Sequence, residues 1–567
     1  MYVVAGYLSS FHTRPCQLML IFRPIRISNL GKDKRWLNIE VHSTQTSVPN
    51  NMCVWKGFCL LALLSLVVYS DSLRILGLFP HPAMSHFKFF HPIMRGLAEA
   101  GHSVDVISPF EDKDPPKGYK DYLLPPSTLT DTIHLEDFER PFHYLFHYIE
   151  YFVLYNMGKE DCNTTLHSAA LSEILKNPPG YYDVILLEQF NTDCAMGVAH
   201  VLQAPVIGMS SCALMPWHYE RLGAPLIPSY ISALFQGQSQ EMSLAGRLGN
   251  WITVHSLNLL YKIFSVPAAN ALIRQRFGPG LPSTEDMVRN TSLMLVNQHF
   301  SLSGPKPLPP NVIEVGGVHI RPPEPLPSDL QKILDNASKG VILISWGSQL
   351  KMSSLPAARR DGIVRALGRL EQQVIWKYKN DSLPNKPANL HIRKWLPQRD
   401  ILAHPNLRVF MSHGGLMGTT EAVSSAVPIV GVPIYGDQSL NIAALVHRGM
   451  ALQLEFKKLD ENTVFEALTK ALDPSFKERA KEVASAYNNR IQDPLETAIW
   501  WVEHVAETKG ASLTQPSAVH LSRFVYYSLD VYLVVFLILL LPAIILVGLI
   551  RLCRKGKPKS TPKLKRK

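Results

Sequence analysis

WLPQRDILAHPNLRVFMSHGGLMGTTEAVSSAVPIVGVPIYGDQ, residues 395–438 of the 567-residue chain, decides the fold. Within it RVFMS (408–412) is a short apolar run containing a β-branched residue, and it stops at His413-Gly414-Gly415. The segment 416–426 that follows has a helix-compatible composition. PIVGVP (428–433) repeats the pattern, ending in Tyr435-Gly436-Asp437-Gln438 before a second helical run over 439–448. Strand, glycine turn and helix, repeated, predict a parallel α/β sheet whose strand ends carry the ligand groups. The first turn has the chemistry of an anion site. Its glycines let backbone approach an anion closely, the next helix offers unpaired N–H groups at its positive end, and His413 adds a donor. A diphosphate fits that description. Glu421, two turns into the helix, can accept from ribose hydroxyls, and Asp437 and Gln438 can hold a sugar. Trp395 offers a flat face to a base, with Gln398 able to bond the base edge.

From the tryptophan to the closing Asp-Gln, these 44 residues resemble the signature of the UDP-glycosyltransferases. The resemblance implies that Trp395 stacks on uracil, Gln398 touches the nucleoside, and His413 with the glycine turn holds the diphosphate. It also implies that Glu421 binds ribose and that Asp437 and Gln438 hold the sugar. Gly415 and Gly418 belong to the same donor-binding set, and Gly347-Ser348, after the apolar run VILIS, resembles the family's phosphate-contacting turn. One position departs: many members carry Asn where this chain has Met417, and a thioether cannot replace an amide's hydrogen bonds.

Upstream of this region, RILGLF (74–79) and SVDVIS (103–108) read as buried strands either side of a helix over 89–100, the opening of a doubly wound sheet. The ligand loop is expected at 80–88. It holds Ser85-His86, which resembles the family's catalytic histidine. DVILLE (183–188) is another strand, and its terminal Glu188 aligns with the carboxylate that orients that histidine; Asp193 is the competing partner. His81, His86 and His91 recur every five residues, a spacing that does not put them on one helical face, so no metal site is expected. Asp112-Lys113-Asp114, followed by two prolines, reads as a solvated turn. The aromatic stretch 138–155 is expected to line an acceptor pocket or to be helical core.

Proline-rich segments at 301–310 and 321–327 read as a linker, with VIEVGGV (312–318) between them as the first strand of a second domain. Further on, 461–472 and 477–508 are expected to be helical, the latter crossing back to the first domain. The expected organisation is therefore an N-terminal acceptor domain over 72–305, a linker over 306–327 and a donor domain over 312–510. Neither a GxGxxG nor a GxxxxGK[ST] motif occurs, which argues against dinucleotide redox chemistry and NTP hydrolysis.

The formal charge of +11 is concentrated at the ends. After Leu549 the chain holds nine Lys or Arg and no acid, and residues 1–51 hold six basic and two acidic residues. The middle is close to neutral, so no nucleic-acid partner is expected. Residues 531–550 contain no charge in twenty positions. At ~1.5 Å per residue, that length spans the ~30 Å bilayer core. With 511–530 as the juxtamembrane stretch and 551–567 as a basic tail, the positive-inside rule puts the large domains in the lumen. Lys563 and Lys565, fifth and third from the end, resemble an endoplasmic-reticulum retrieval signal. A ~12-residue apolar segment within 52–71 suits a signal peptide, and residues 1–51 before it read as a non-native leader. Three of seven cysteines, Cys162, Cys194 and Cys212, fall in the lumenal part, enough for one disulfide. Sequons occur at Asn163, Asn290, Asn336 and Asn380.

Together these readings predict a two-domain, GT-B-like α/β protein with a C-terminal transmembrane helix. The expected activity is inverting transfer of a hexose, glucose by similarity of SHFKFFHP and EQFNTDC to the arthropod-like branch, from a UDP-sugar co-substrate to a small lipophilic acceptor of the kind conjugated in detoxification. No metal or other cofactor is expected, and a homo-oligomer is compatible with the reading. The rivals are a membrane-anchored carrier with an inactive transferase fold and a lipid-directed transferase.

Overall fold

The computed structural model describes residues 72–126, 133–139, 146–238, 240–380 and 382–555. The expected leader, signal segment and retrieval signal lie outside the described residues. The first sheet begins with β1 (Arg74–Leu78), β2 (Ser103–Ser108) and β3 (Tyr119–Leu123). After β4 (Ile133–His134), which pairs elsewhere, it continues with β5 (Val184–Glu188), β6 (Val206–Ser210), β7 (Thr291–Val296) and β8 (Val312–Glu314). Its order is β3-β2-β1-β5-β6-β7-β8, with every neighbouring pair parallel. The second sheet is built from β9 (Val341–Ser345), β11 (Gln373–Lys377), β12 (Leu390–Arg393), β13 (Leu407–Ser412), β14 (Ile429–Gly431) and β15 (Ala451–Gln453). They run in the order β12-β11-β9-β13-β14-β15, also parallel. The central strands are uninterrupted apolar runs, as a parallel sheet covered on both faces requires.

Seven helices matter for function: α1 (Met84–Glu99), α2 (Phe146–Leu166), α3 (Leu244–Leu260), α4 (Leu416–Ser424), α5 (Gln438–His447), α6 (Pro494–Glu507) and α7 (Leu529–Lys555). Each sheet has one place where its strand order reverses, between β1 and β5 in the first and between β9 and β13 in the second. Ligands of open α/β sheets bind outside the carboxyl ends of the strands at such points. Those ends are where His86 and Glu188, and Ser348 and His413, are found.

Four expectations need correction. Helix α1 starts at Met84 rather than near 89, because Phe87 is already buried and packs on Phe110, so the apolar stripe begins a turn earlier. His86 is thus on the first turn of a helix and not in a loop. Val312–Glu314 does not open the second domain. It pairs with β7 at the edge of the first sheet, so the first domain runs past residue 305. The helical stretch 477–508 is two helices, Pro474–Asn488 and α6. Pro494 disfavours helical backbone at Asp493, which instead caps α6 by accepting from Leu495 N at 2.8 Å. Ala498, Val502 and Val505 of α6 pack in the core of the first sheet, so the crossing back is present while the donor domain does not extend to 510. Finally, Asp112 is not solvated: it is buried, bonded to His91 and Arg95.

The first domain also reaches the second through β4, which pairs with β10 (Leu350–Lys351). Beside it, Leu135 joins the second sheet's core and Phe138 stacks on Tyr435. Cys162 and Cys194 form a disulfide between α2 and the start of the helix Ala195–Leu202, while Cys212 is a buried thiol.

Candidate active site

His86 projects from the first turn of α1 beside the end of β5, with a side chain 17% exposed. Its Nδ1 is 2.6 Å from Glu188 Oε1 and 2.8 Å from Ser211 Oγ. With Nδ1 engaged twice, Nε2 is the nitrogen available to a substrate hydroxyl. Phe190 meets the ring edge-on and His81 lies tilted against it. His81 Nδ1 in turn bonds Asp161 Oδ2 at 2.9 Å, deep in the core. Burial lowers the His86 pKa to about 4, opposed by the Asp161 charge. Burial raises Glu188 to about 8, opposed by His81 and reinforced by Asp161. Both shifts have the same origin, since a low-dielectric site disfavours charge on either partner. Asp193 is placed elsewhere: its oxygens take Arg221 Nη1 at 2.6 Å and Tyr261 OH at 2.7 Å.

The residues expected at the donor end gather around the switch point of the second sheet. His413 follows directly on β13, and Gly414 turns the chain with φ +87°. Gly415 caps α4 in extended backbone. The imidazole lies so close that a Cβ on Gly415 would fall 2.5 Å from its Nε2, and one on Gly347 would fall 3.0 Å from its Cε1. Burial, aided by the Lys377 charge, lowers His413 to about 4, and its buried Nδ1 has no hydrogen-bond partner among the described residues. Ser348 is exposed beside it. Trp395 is 65% exposed. Gln398 Nε2 donates to Glu421 Oε2 at 2.7 Å, and Gly418 leaves room for that amide, since a Cβ there would be 3.0 Å from it.

At the far end, Asp437 accepts from Asn441 Nδ2 at 3.0 Å, and burial raises its carboxyl to about 6. Gln438 is almost wholly buried. Its Oε1 accepts from the backbone of Ile434 and Tyr435, so its carbonyl holds its own loop together.

Several neighbours were not singled out from sequence. Ser211 follows the strand end at β6. Glu150 on α2 accepts from Gly436 N at 2.6 Å, and burial raises its carboxyl to about 8. Lys377 Nζ lies 4.4 Å over the Trp395 ring and donates to Gly347 O, and Lys88 of α1 lies 5.7 Å over the same ring. Burial, with Lys88 and Lys379 nearby, lowers Lys377 to about 8. Asn297 Nδ2 is 3.5 Å from Met417 Sδ, so an amide from the first domain meets that thioether. Of these, only Lys377, at the carboxyl end of β11, and Ser211, just after β6, had a positional signal. Among the described residues, no group of three or more His, Cys, Asp or Glu side chains is arranged to hold a metal.

Two parallel α/β domains with ligand groups at both switch points define a GT-B glycosyltransferase. The glycosyltransferase VinC in complex with DTDP has the same fold: 16% identity, a TM-score of 0.53, and coverage of 77% of this chain and 100% of VinC. The family described as UDP-glucoronosyl and UDP-glucosyl transferase matches residues 127–567. UDP-glycosyltransferase UGT5 of Dactylopius coccus is 35% identical over 506 residues, 86% of this chain and 93% of that protein. The 2-hydroxyacylsphingosine 1-beta-galactosyltransferase of Homo sapiens is 29% identical over 483 residues, 84% and 87% of the two chains. The chain belongs to the UDP-glycosyltransferase family, and it is an enzyme that uses a UDP-sugar donor.

Proposed function

We propose that the protein transfers glucose from UDP-glucose to a hydroxyl of a small lipophilic acceptor, inverting the anomeric centre, with His86 as general base. The observation carrying this reading is the His86–Glu188 pair, which engages Nδ1 and leaves Nε2 for the acceptor. The acceptor O–H proton passes to Nε2 as its oxygen forms a bond to the anomeric carbon, and the bond from that carbon to the diphosphate oxygen breaks, releasing UDP. Glu188 stabilises the imidazolium so formed. Asp193, held by Arg221 and Tyr261, is assigned a structural role. His413, the α4 N-terminus with Gly415, Ser348 and Lys377 take the growing phosphate charge. Trp395, Gln398, Gly418 and Glu421 hold the nucleoside, and Asp437 and Gln438 the sugar. Chemistry of this kind needs no metal.

Glucose is favoured over glucuronate by charge. Asp437 at the sugar end is raised only to about 6, so it is ionised at neutral pH and opposes a sugar that carries a carboxylate, while Glu150 beside it, raised to about 8, adds to that charge only at higher pH. A relative named UDP-glucosyltransferase 2, from Dactylopius coccus, agrees with that choice. The exposed apolar α7 is read as a single membrane anchor with the catalytic domains in the lumen of the endoplasmic reticulum. The Cys162–Cys194 disulfide and the exposure of Asn163, Asn290, Asn336 and Asn380 support that side. Conjugation of foreign compounds is the proposed role.

The test is His86→Ala. We expect UDP-glucose-dependent transfer across phenols, flavonoids and steroids to fall by ~10²–10⁴-fold, with UDP affinity by calorimetry unchanged. Full activity in a variant that still binds UDP overturns the mechanism. Use of ceramide alone overturns the acceptor class.

A further inference from the structure

α3 and the π-helical turn Tyr261–Ser265 that continues it are apolar on both sides, which is unusual for a surface helix in water. Their inward side carries Val254, Leu257 and Tyr261 together with Asn250, Thr253 and Asn258, with the Asn250 amide bonded to backbone at Pro228, Ile231 and Ala233. Their outward side carries Leu244 at 74% exposure, Leu248 at 59%, Trp251 at 54%, and Ile252, Leu259 and Ile263. Phe264 joins this stripe to exposed apolar residues of α2 through its ring contact with Phe152. From Met242 to Phe277 there is no acidic residue, while Arg247 and Lys262 are present. A contiguous apolar patch of this size marks a partner surface or a membrane.

What covers it is indicated by the segment leading into α7. Arg523, six residues before α7 begins, bonds Glu220. Tyr526 donates to Ala224 O at 2.8 Å, and Arg289 donates to Val519 O. Glu220 is on the helix Pro216–Arg221, which packs directly on α3. The juxtamembrane segment is thus pinned to the elements that pack against α3, six residues before the start of α7.

We infer that the outward face of α3, with the adjoining edge of α2, seats in the lumenal surface of the same bilayer that α7 crosses. Apolar side chains with a tryptophan, with Arg247 alongside and Lys262 paired to Glu285 at the edge, are compatible with an interfacial helix. Its consequence is that the first domain, and with it the His86 crevice, lies against the membrane in a fixed orientation. This rests on reading α7 as the anchor.

The test uses the full chain in phosphatidylcholine vesicles containing a minority of phosphatidylserine, labelled by a photoactivatable carbene probe carried on lipid tails. The expected result is label in peptides from both 529–554 and 244–265, with none in Glu461–Ala471. The double variant Leu248→Glu, Ile252→Glu should lower label in 244–265 about fivefold or more, leaving 529–554 unchanged. Label confined to 529–554 in the unsubstituted protein overturns the inference while leaving the anchor intact. Absence of label from 529–554 overturns the anchor and the inference with it. Cross-links between the 244–265 segments of two copies, in place of lipid label, identify a self-association face and also overturn it.

Discussion

At the scale of single residues, the His86–Glu188 pair ties activity to pH with a definite sign. While Glu188 holds its proton it donates to Nδ1, and the imidazole then carries its hydrogen on Nε2, where it cannot accept from a substrate. Once Glu188 ionises, Nδ1–H donates to it and Nε2 is free. With burial raising Glu188 to about 8, kcat/KM is expected to climb with rising pH up to and through that value and then level. Glu188→Gln should lower kcat by ~10²-fold or more and remove the climb, as read from a pH–rate profile. Glu150 makes a second residue-level test. Glu150→Lys replaces an acid beside Asp437 with a cation and should shift the ratio of kcat/KM for UDP-glucose over UDP-glucuronate downward by about tenfold. An unchanged ratio means that charge beside Asp437 does not select the sugar. His86 was singled out because, after the first strand, it resembles the family's catalytic histidine. Glu150 could not be, because nothing in the sequence of α2 announces that its carboxylate meets the backbone of Gly436, 286 residues away.

Among the elements, the strand–turn–helix unit β13–α4 carries much of the proposed donor site, and its two glycines are required for different reasons. Gly414 adopts positive φ, whereas Gly415 has ordinary backbone and is needed because His413 lies against it. Gly415→Ala should therefore displace the imidazole without unfolding the turn, raising the KM for UDP-glucose about tenfold with a smaller change in kcat; titration of UDP by calorimetry gives the same comparison without catalysis. The runs of β13, β14, β9, β1 and β5 were legible because central parallel strands are continuous apolar segments. The assignment of Val312–Glu314 failed for a related reason. A three-residue apolar strand fits either sheet by composition, and only its pairing with β7 chooses.

In the whole molecule, the two domains are joined by more than the chain between them. α6 follows the second sheet in sequence yet buries Ala498, Val502 and Val505 in the core of the first, while Leu135 from the first half enters the core of the second. Val502→Asp places an unpaired charge among those side chains and should cost ~3 kcal/mol or more. Thermal unfolding followed by tryptophan fluorescence is expected to show the first domain melting early; an unchanged melting temperature would mean that α6 does not hold it. The sequence by itself determined the α/β class and the apolar C-terminal helix, each written in contiguous residues whose periodicity or length follows from local backbone geometry; the donor motif and His86, with Glu188 or Asp193 as its partner, were singled out by resemblance to the family. Only the tertiary structure decided that Asp193 is committed to Arg221 and Tyr261, that Lys377, Ser211 and Glu150 lie beside the proposed site, and that α3 leaves a stripe of large apolar side chains outward. Those facts depend on which distant side chains meet, and on which face of a helix the rest of the chain leaves uncovered, and no local pattern encodes either.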